Sequence, residues 1–176
     1  MAGGLTLTGV EQTFDADEII VSKTDTSGRI TYANDVFLRI SGYGEDELLD
    51  QPHSMIRHPD MPRAVFKLLW DRIASGQEIF AFVVNRCENG DHYWVLAHVT
   101  PDFDEAGRIV GYHSSRRLPK RPALAAVTPL YAQMLTLETG QADPVAGMAA
   151  STALLERTIR ESGCESYDRF IFSLGL

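Results

Sequence analysis

The chain has 176 residues, a formal net charge of −8 and a pI near 5.0. This acidic balance excludes nucleic acids and anionic membranes as principal partners, because phosphate groups are bound by basic surfaces. The two cysteines are too few for a disulfide framework or a metal motif, and no apolar run reaches the roughly 20 residues of a membrane span. Since no signal peptide is evident, we expect a cytoplasmic protein.

Alternating and β-branched runs, separated by turn signals, predict one α+β domain over residues 18–118. Gly42 and Gly76 end two of its helices, and Asn89-Gly90 is a strong hairpin signal. The predicted elements are strands at 18–24 and 29–33, short helices at 35–41 and 45–49, a helix at 62–75, and strands at 78–87, 91–100 and 108–118, with a turn at 101–107. Strands at both ends with helices between them favour an antiparallel sheet.

The stretch from 53 to 62 differs from an ordinary connection between elements. Prolines frame and interrupt it, and each restricts its own φ angle and the residue before it. The turns that result carry two imidazoles, a guanidinium and a carboxylate: His53, His58, Arg57 and Asp60. Loops that hold such groups on a rigid scaffold are where binding sites are commonly found.

Two further segments flank the predicted domain. Residues 1–17 are small and polar and predict an N-terminal arm or cap. Pro119-Lys-Arg-Pro122 marks a boundary, after which 119–176 form a helical extension with helices at 123–138 and 144–162. The segment from 165 to the end is too apolar to stay in water, so we expect it to pack on the body or on a second chain.

The order of motifs over residues 18–118 resembles a PAS sensor domain, and most of all the PAS domain of bacterial aerotaxis receptors. The Arg-His-Pro-Asp-Met-Pro string at 57–62 is the most specific match. The other matching segments are 30–35, 41–43, 47–48, 51–53, 85–86, 88–94 and 111–112, with Phe66 and Trp70. The resemblance implies a PAS fold in which a five-stranded antiparallel sheet, with short helices on one face, holds FAD without a covalent bond.

The same resemblance implies a set of cofactor-binding residues. The family's FAD-binding positions fall on Arg57, His58 and Asp60, and the residues that line or border the pocket are Asn34, His53, Trp70 and Asn85. Physical chemistry agrees in part, because a guanidinium suits a pyrophosphate and amides can pair with the edge of a flavin. Asn34 and His53 are equally suited to cap helices, and Trp70 to pack in a core.

By resemblance, the flavin's redox state reports oxygen or electron-transport status to a signalling partner. The membrane anchor and coiled region of the aerotaxis receptors have no counterpart in this sequence, so we expect a partner in trans or a missing output domain. A homodimer is also expected. No nucleophile motif accompanies the loop, so we predict no enzyme activity, and Cys87 is not placed for a flavin adduct.

Two alternatives stay open from the sequence. One is a haem-binding gas sensor of the same fold, although the helix at 62–75 has no histidine to serve as an axial ligand. The other is a cofactor-free interaction or dimerisation module.

Overall fold

The computed structural model describes residues 6–175 and contains a five-stranded antiparallel sheet with strand order β2-β1-β5-β4-β3. The strands are β1 Ile20–Thr24, β2 Ile30–Ala33, β3 Ile79–Arg86, β4 His92–Phe103 and β5 Ile109–Arg117. The helices are α1 Asp35–Ser41, α2 Glu45–Leu48, α3 Arg63–Ala74, α4 Arg121–Thr139, α5 Pro144–Glu161 and α6 Tyr167–Ser173, with a 3-10 turn at His53–Ile56. The predicted α+β architecture, with helices after the sheet, is confirmed.

Local chemistry explains the entry into the helical layer. Asn34 caps α1, because its side-chain oxygen accepts from the backbone N–H of Phe37 at 3.1 Å. Gly42 ends the helix with a positive φ of 79°, a conformation that favours glycine. The short helices α1 and α2 and the longer α3 then bury Phe37, Leu48 and Val65 in one core with the sheet.

The predicted turn at 101–107 is wrong at its start, because β4 continues through Pro101 to Phe103. Pro101 pairs with Tyr112 of β5, whereas the pairing of β4 with β3 stops at Val99. Beyond that point β4 has a neighbour on one side only. Proline is tolerated there, since an edge position need not supply a ladder N–H.

Both outer strands have further backbone or side-chain partners. Beside β2, the N–H of Ile30 donates to the carbonyl of Gln51 at 2.9 Å, and the N–H of Asp50 donates to the carbonyl of Ile30 at 2.9 Å. On β3, the hydroxyl of Tyr131 in α4 donates to the carbonyl of Phe82 at 2.8 Å.

The C-terminal helices pack onto the domain at several points. Tyr131 of α4 lies against Trp94, with ring centroids 6.2 Å apart. Farther along α4, Glu138 accepts hydrogen bonds from the backbone N–H groups of Arg63 and Ala64 at 2.8 and 2.9 Å. It therefore caps α3, which Pro62 leaves without a side-chain cap. Phe172 of α6 packs on Phe80 of β3, so the apolar tail lies on the body of the chain.

The hairpin between β3 and β4 holds residues 6–17 of the predicted N-terminal arm, whose first five residues lie outside the described part of the chain. The Asp91 carboxylate accepts hydrogen bonds from Thr8, Gln12 and Asn89. Within residues 6–175, none of the helices has both the length and the apolar character needed to cross a bilayer.

Candidate functional site

An inner chamber lies between the sheet and α3. Strand residues whose side chains point to this face line it together with Phe66, Leu69, Trp70 and Ile73 of α3. The chamber encloses about 80 Å³ and is mainly apolar. Its lining residues with polar side-chain groups come from β1, β3, β5 and the 3-10 turn: Ser22, Thr24, Asn85, Tyr112, Ser114, Arg116 and His53.

Asn85 supplies an amide that needs a partner. The residue is 2% exposed, and its side-chain Nδ2 is buried without a well-formed hydrogen bond within the described residues, although the Tyr93 hydroxyl lies close to the amide. Leaving a buried donor unpaired costs about 1–3 kcal/mol. Because Asn85 lines the chamber, a rotation of its amide would bring this donor to an acceptor on a bound molecule and offset the cost.

Arg116 places a buried cation at the same chamber. It is 2% exposed, and its Nη2 donates to the Ser22 hydroxyl and, at 2.7 Å, to Nε2 of His53. Burial lowers its pKa to about 10, so the guanidinium stays charged at neutral pH. Its Nη1 is buried without a partner, and no carboxylate in the described part of the chain pairs with it.

His53 is held neutral by this arrangement. Burial, followed by the charge of Arg116, lowers the pKa of His53 to about 3. The imidazole can then accept the guanidinium hydrogen at Nε2, which requires its own proton on Nδ1. Within the described residues, the buried unpartnered side-chain groups on the residues that line the chamber are thus nitrogen donors, on Asn85 and Arg116.

An outer cleft of about 430 Å³ lies next to the chamber. The two cavities share His53, Phe66, Trp70 and Asn85 as walls. Together they fall within the range of small-molecule sites, ~300–1,000 Å³. The cleft also carries Arg57, whose guanidinium lies 4.2 Å from the centre of the Phe66 ring.

Trp70 stands at the junction of the chamber and the cleft. It is 38% exposed and contacts Tyr112 edge to face, with centroids 5.5 Å apart. The backbone of Arg57 forms an isolated antiparallel bridge with that of Asn85. The backbone therefore joins the cation of the cleft directly to the amide of the chamber.

Four of the seven predicted site residues converge on these cavities: His53, Arg57, Trp70 and Asn85. The structure places the other three elsewhere. The Asn34 side-chain amide forms hydrogen bonds with backbone groups of Ile19, Val21 and Phe37.

His58 is buried and accepts from the N–H of Asp60 at 3.1 Å, and its ring lies 5.6 Å from that of His92. Asp60 is exposed. Neither residue lines the chamber or the cleft.

Other residues of the site were not predicted. Arg116 and Ser22 lie on strands, and only the strand register shows that they face the chamber. Arg63 and Lys67 line the outer cleft, and their spacing with Trp70 on one helix face could have identified them. Met148 of α5 also lines this cleft, so the C-terminal extension contributes to it.

Comparison with known proteins gives consistent findings. A family model described as the PAS fold matches residues 30–116. The aerotaxis receptor of Escherichia coli (strain K12) is 47% identical over 115 residues, which cover 65% of this chain and 22% of the receptor. The nitrogen fixation regulatory protein of Klebsiella pneumoniae is 30% identical over 114 residues, with the same two coverages, 65% and 22%. The chain thus spans about a fifth of the length of these relatives.

Solved structures show the same fold. The light-state structure of the blue-light photoreceptor Aureochrome1 LOV has a TM-score of 0.54 and 25% identity, and the match covers 65% of this chain and 88% of that chain. A light-oxygen-voltage domain studied with a flavin analogue has a TM-score of 0.56 over 65% of this chain, at 18% identity.

Proposed function

We propose that this chain, which belongs to the PAS family through residues 30–116, is a redox sensor that binds FAD without a covalent bond. In this proposal the PAS core over 18–118 holds the flavin, and the extension over 119–176 passes its state to a signalling partner. Similarity to the aerotaxis receptor and the fold shared with a domain studied with a flavin analogue support the proposal. We propose no catalytic role for the loop at 53–62.

The observation that carries the proposal is that two residues of the chamber wall, Asn85 and Arg116, each have a buried side-chain donor without a partner within the described residues. Both residues line the chamber. The edge of an isoalloxazine ring presents carbonyl oxygens and ring nitrogens, which accept hydrogen bonds. A flavin edge would therefore satisfy the donors that the protein leaves free.

The shape of the cavities agrees with a molecule that is flat and apolar at one end and anionic at the other. The chamber is mainly apolar, whereas the cleft carries Arg57. A chamber of about 80 Å³ is smaller than a tricyclic ring, so binding requires its shared wall to move outward. Trp70, at 38% exposure, is the most exposed of the four residues that the two cavities share.

A bound flavin supplies a ring whose protonation and hydrogen bonding change on reduction. Asn85 can respond, because its amide presents either an oxygen or an NH₂ group when it rotates. Its strand β3 is hydrogen-bonded to α4 through Tyr131. A change at Asn85 therefore has a short route to the extension, provided that the two redox states interact differently with the amide.

The partner in this proposal is a signalling protein in trans or an output domain joined to the chain. The chain covers 22% of the aerotaxis receptor, so the receptor's remaining length is available for output functions in that protein. A homodimer and a cytoplasmic location are parts of the same proposal.

The test is an absorption spectrum of the purified chain, reconstituted with FAD, before and after anaerobic dithionite. We expect a structured flavin band that bleaches on reduction, with intact FAD released on denaturation. Asn85→Ala should weaken FAD binding by about tenfold, which corresponds to ~1.4 kcal/mol. Gln77→Ala, which removes an exposed amide at the start of the same hairpin, is the matched control.

Other outcomes would contradict the proposal. A Soret band in place of the flavin band would identify a haem sensor and redirect attention to His53. A spectrum with no visible band, unchanged by added FAD, would identify an interaction module. Unchanged FAD affinity and redox potential in Asn85→Ala would show that the pocket assignment is wrong.

A further inference from the structure

One face of α3 carries a row of residues along the outer cleft. Arg63, Phe66, Lys67 and Trp70 are separated by three or four positions and all line this cleft. Phe66 and Trp70 are also walls of the inner chamber. The two cations, Arg63 and Lys67, thus stand beside the aromatic residues that join the cavities.

The charge of the cleft is opposite to that of the chain. Among residues 6–175, its wall contains three cations, Arg57, Arg63 and Lys67, and no carboxylate, although the chain has 24 acidic and 16 basic residues. Such a local excess in an acidic protein raises the local concentration of anions.

The acidic groups nearest to the row have other partners. Glu138 accepts from two backbone N–H groups at the start of α3 and from the hydroxyl of Ser151. Asp71 pairs with Lys67 one turn farther along the helix, where both side chains are more than half exposed. Exposed pairs of this kind contribute little, so Lys67 can change partner at low cost. The Arg63 side chain forms no ion pair within residues 6–175.

Like charges also meet inside the cleft. Burial lowers the pKa of the Arg57 guanidinium. The negative charge of Glu138 raises this pKa, and the positive charge of Arg63 lowers it further. Two guanidinium groups that repel each other at a cavity wall are stabilised by a shared anion.

We infer that Arg63 and Lys67, together with Arg57, bind the phosphates of the cofactor and make the site selective for a flavin that carries a diphosphate. This inference rests on the proposed function and deepens it. Arg63 and Lys67 are one helical turn apart, about 6 Å along the axis. If the ring of a bound flavin lies in the chamber and its chain extends past Phe66, the diphosphate lies in the cleft beside both cations. Riboflavin has no phosphate and therefore presents no charge to either cation.

The experiment compares the affinities of FAD, FMN and riboflavin for the full chain, measured by the change in flavin fluorescence on titration. We expect FAD to bind most tightly and riboflavin least. In the double variant Arg63→Gln/Lys67→Gln, FAD affinity should fall by about tenfold or more, since two charge-assisted contacts are lost, and riboflavin affinity should not change. The salt dependence of FAD binding should become shallower in the same variant.

Two further variants test whether a loss of FAD affinity comes from a loss of charge or from a disturbed structure. Arg63→Lys/Lys67→Arg keeps both charges and should retain most of the FAD affinity. Arg157→Gln removes an exposed cation on α5, far from the lining of the cleft, and should leave all three affinities unchanged. Circular dichroism establishes that each variant is folded.

The outcomes separate this inference from the proposed function. If the unaltered chain binds none of the three flavins, the proposed function fails and the inference with it. If it binds riboflavin as tightly as FAD, or if the double variant loses riboflavin and FAD equally, only the inference is overturned. Loss of FAD affinity with riboflavin affinity intact supports both.

Discussion

Replacing Glu138 should destabilise the chain far more than replacing any exposed glutamate. Its buried carboxylate joins α4 to the start of α3 through the N–H groups of Arg63 and Ala64, and Ser151 completes its contacts. Hydrogen bonds to a charged group contribute about 1.5–3 kcal/mol each, and loss of a helix cap costs ~0.5–2 kcal/mol. We therefore expect Glu138→Ala to lower the free energy of unfolding by about 3 kcal/mol.

Urea unfolding followed by circular dichroism measures this change. For a chain of this size, about 3 kcal/mol corresponds to a fall in Tm of roughly 6–12 °C. Glu138→Gln keeps one carbonyl acceptor but places an NH₂ group against a helix N–H, so it should lose about half as much. The control is Glu156→Ala, an exposed position on α5 that should change stability by less than ~0.5 kcal/mol.

The result that would refute this reasoning is a common unfolding midpoint for Glu138→Ala and Glu156→Ala with an unchanged m-value. The carboxylate would then contribute nothing net to holding α4 against α3. A reduced m-value has a different meaning, because it would show that the C-terminal helices unfold separately from the sheet.

Three further predictions concern the sheet and the chamber. Gly111→Ala should cost about 3 kcal/mol of stability, because its new Cβ would lie 2.4 Å from the carbonyl oxygen of Thr24. Gly107→Ala, at a positive φ with nothing within 4 Å, should cost about 1 kcal/mol, and equal losses in the two variants would contradict the steric argument. The pKa of His53 is about 3 when folded, below its unfolded value, so the unfolded state binds the extra proton as pH falls through 6.5. Stability should therefore fall by about 1.4 kcal/mol more between pH 7.5 and 5.5 than in His53→Gln, and identical pH profiles would show that the imidazole is not buried as described. Tyr131→Phe should lose about 1–2 kcal/mol in thermal unfolding by removing a buried hydrogen bond to β3, and an unchanged Tm would contradict the importance of that contact.

Much of the fold follows from local signals in the sequence. Asn89-Gly90 forms the predicted turn before β4, and Asn34 and Gly42 bound the predicted helix α1. The error at Pro101 shows the limit of such signals. Proline argues against a strand only where that strand is paired on both sides, and Pro101 is paired with β5 alone. That condition depends on where β3 ends, which the residues around Pro101 do not encode.

The candidate site could be predicted where a motif carried it. His53, Arg57, Trp70 and Asn85, which the resemblance named, line the cavities, and their part in cofactor binding stays a prediction. The position of Arg116 in the site could not be predicted, because it depends on the strand register and on the burial of its guanidinium without an acidic partner among the described residues.

Glu138 escaped sequence analysis for a similar reason. It lies 74 positions from the N–H of Ala64 that it caps. Contacts across such separations leave no local pattern.

The covered edges of the sheet have a consequence for self-association. An open edge strand is a template on which another chain can add a strand, and this is a common route to aggregation. Here the backbone of Ile30 is occupied by the segment around Gln51, and β3 is occupied at Asn85 by Arg57 and at Phe82 by Tyr131. Continuous strand addition along β2 or β3 is therefore blocked, and the end of β4 beyond Val99 is the part of the described sheet where a second chain could still pair.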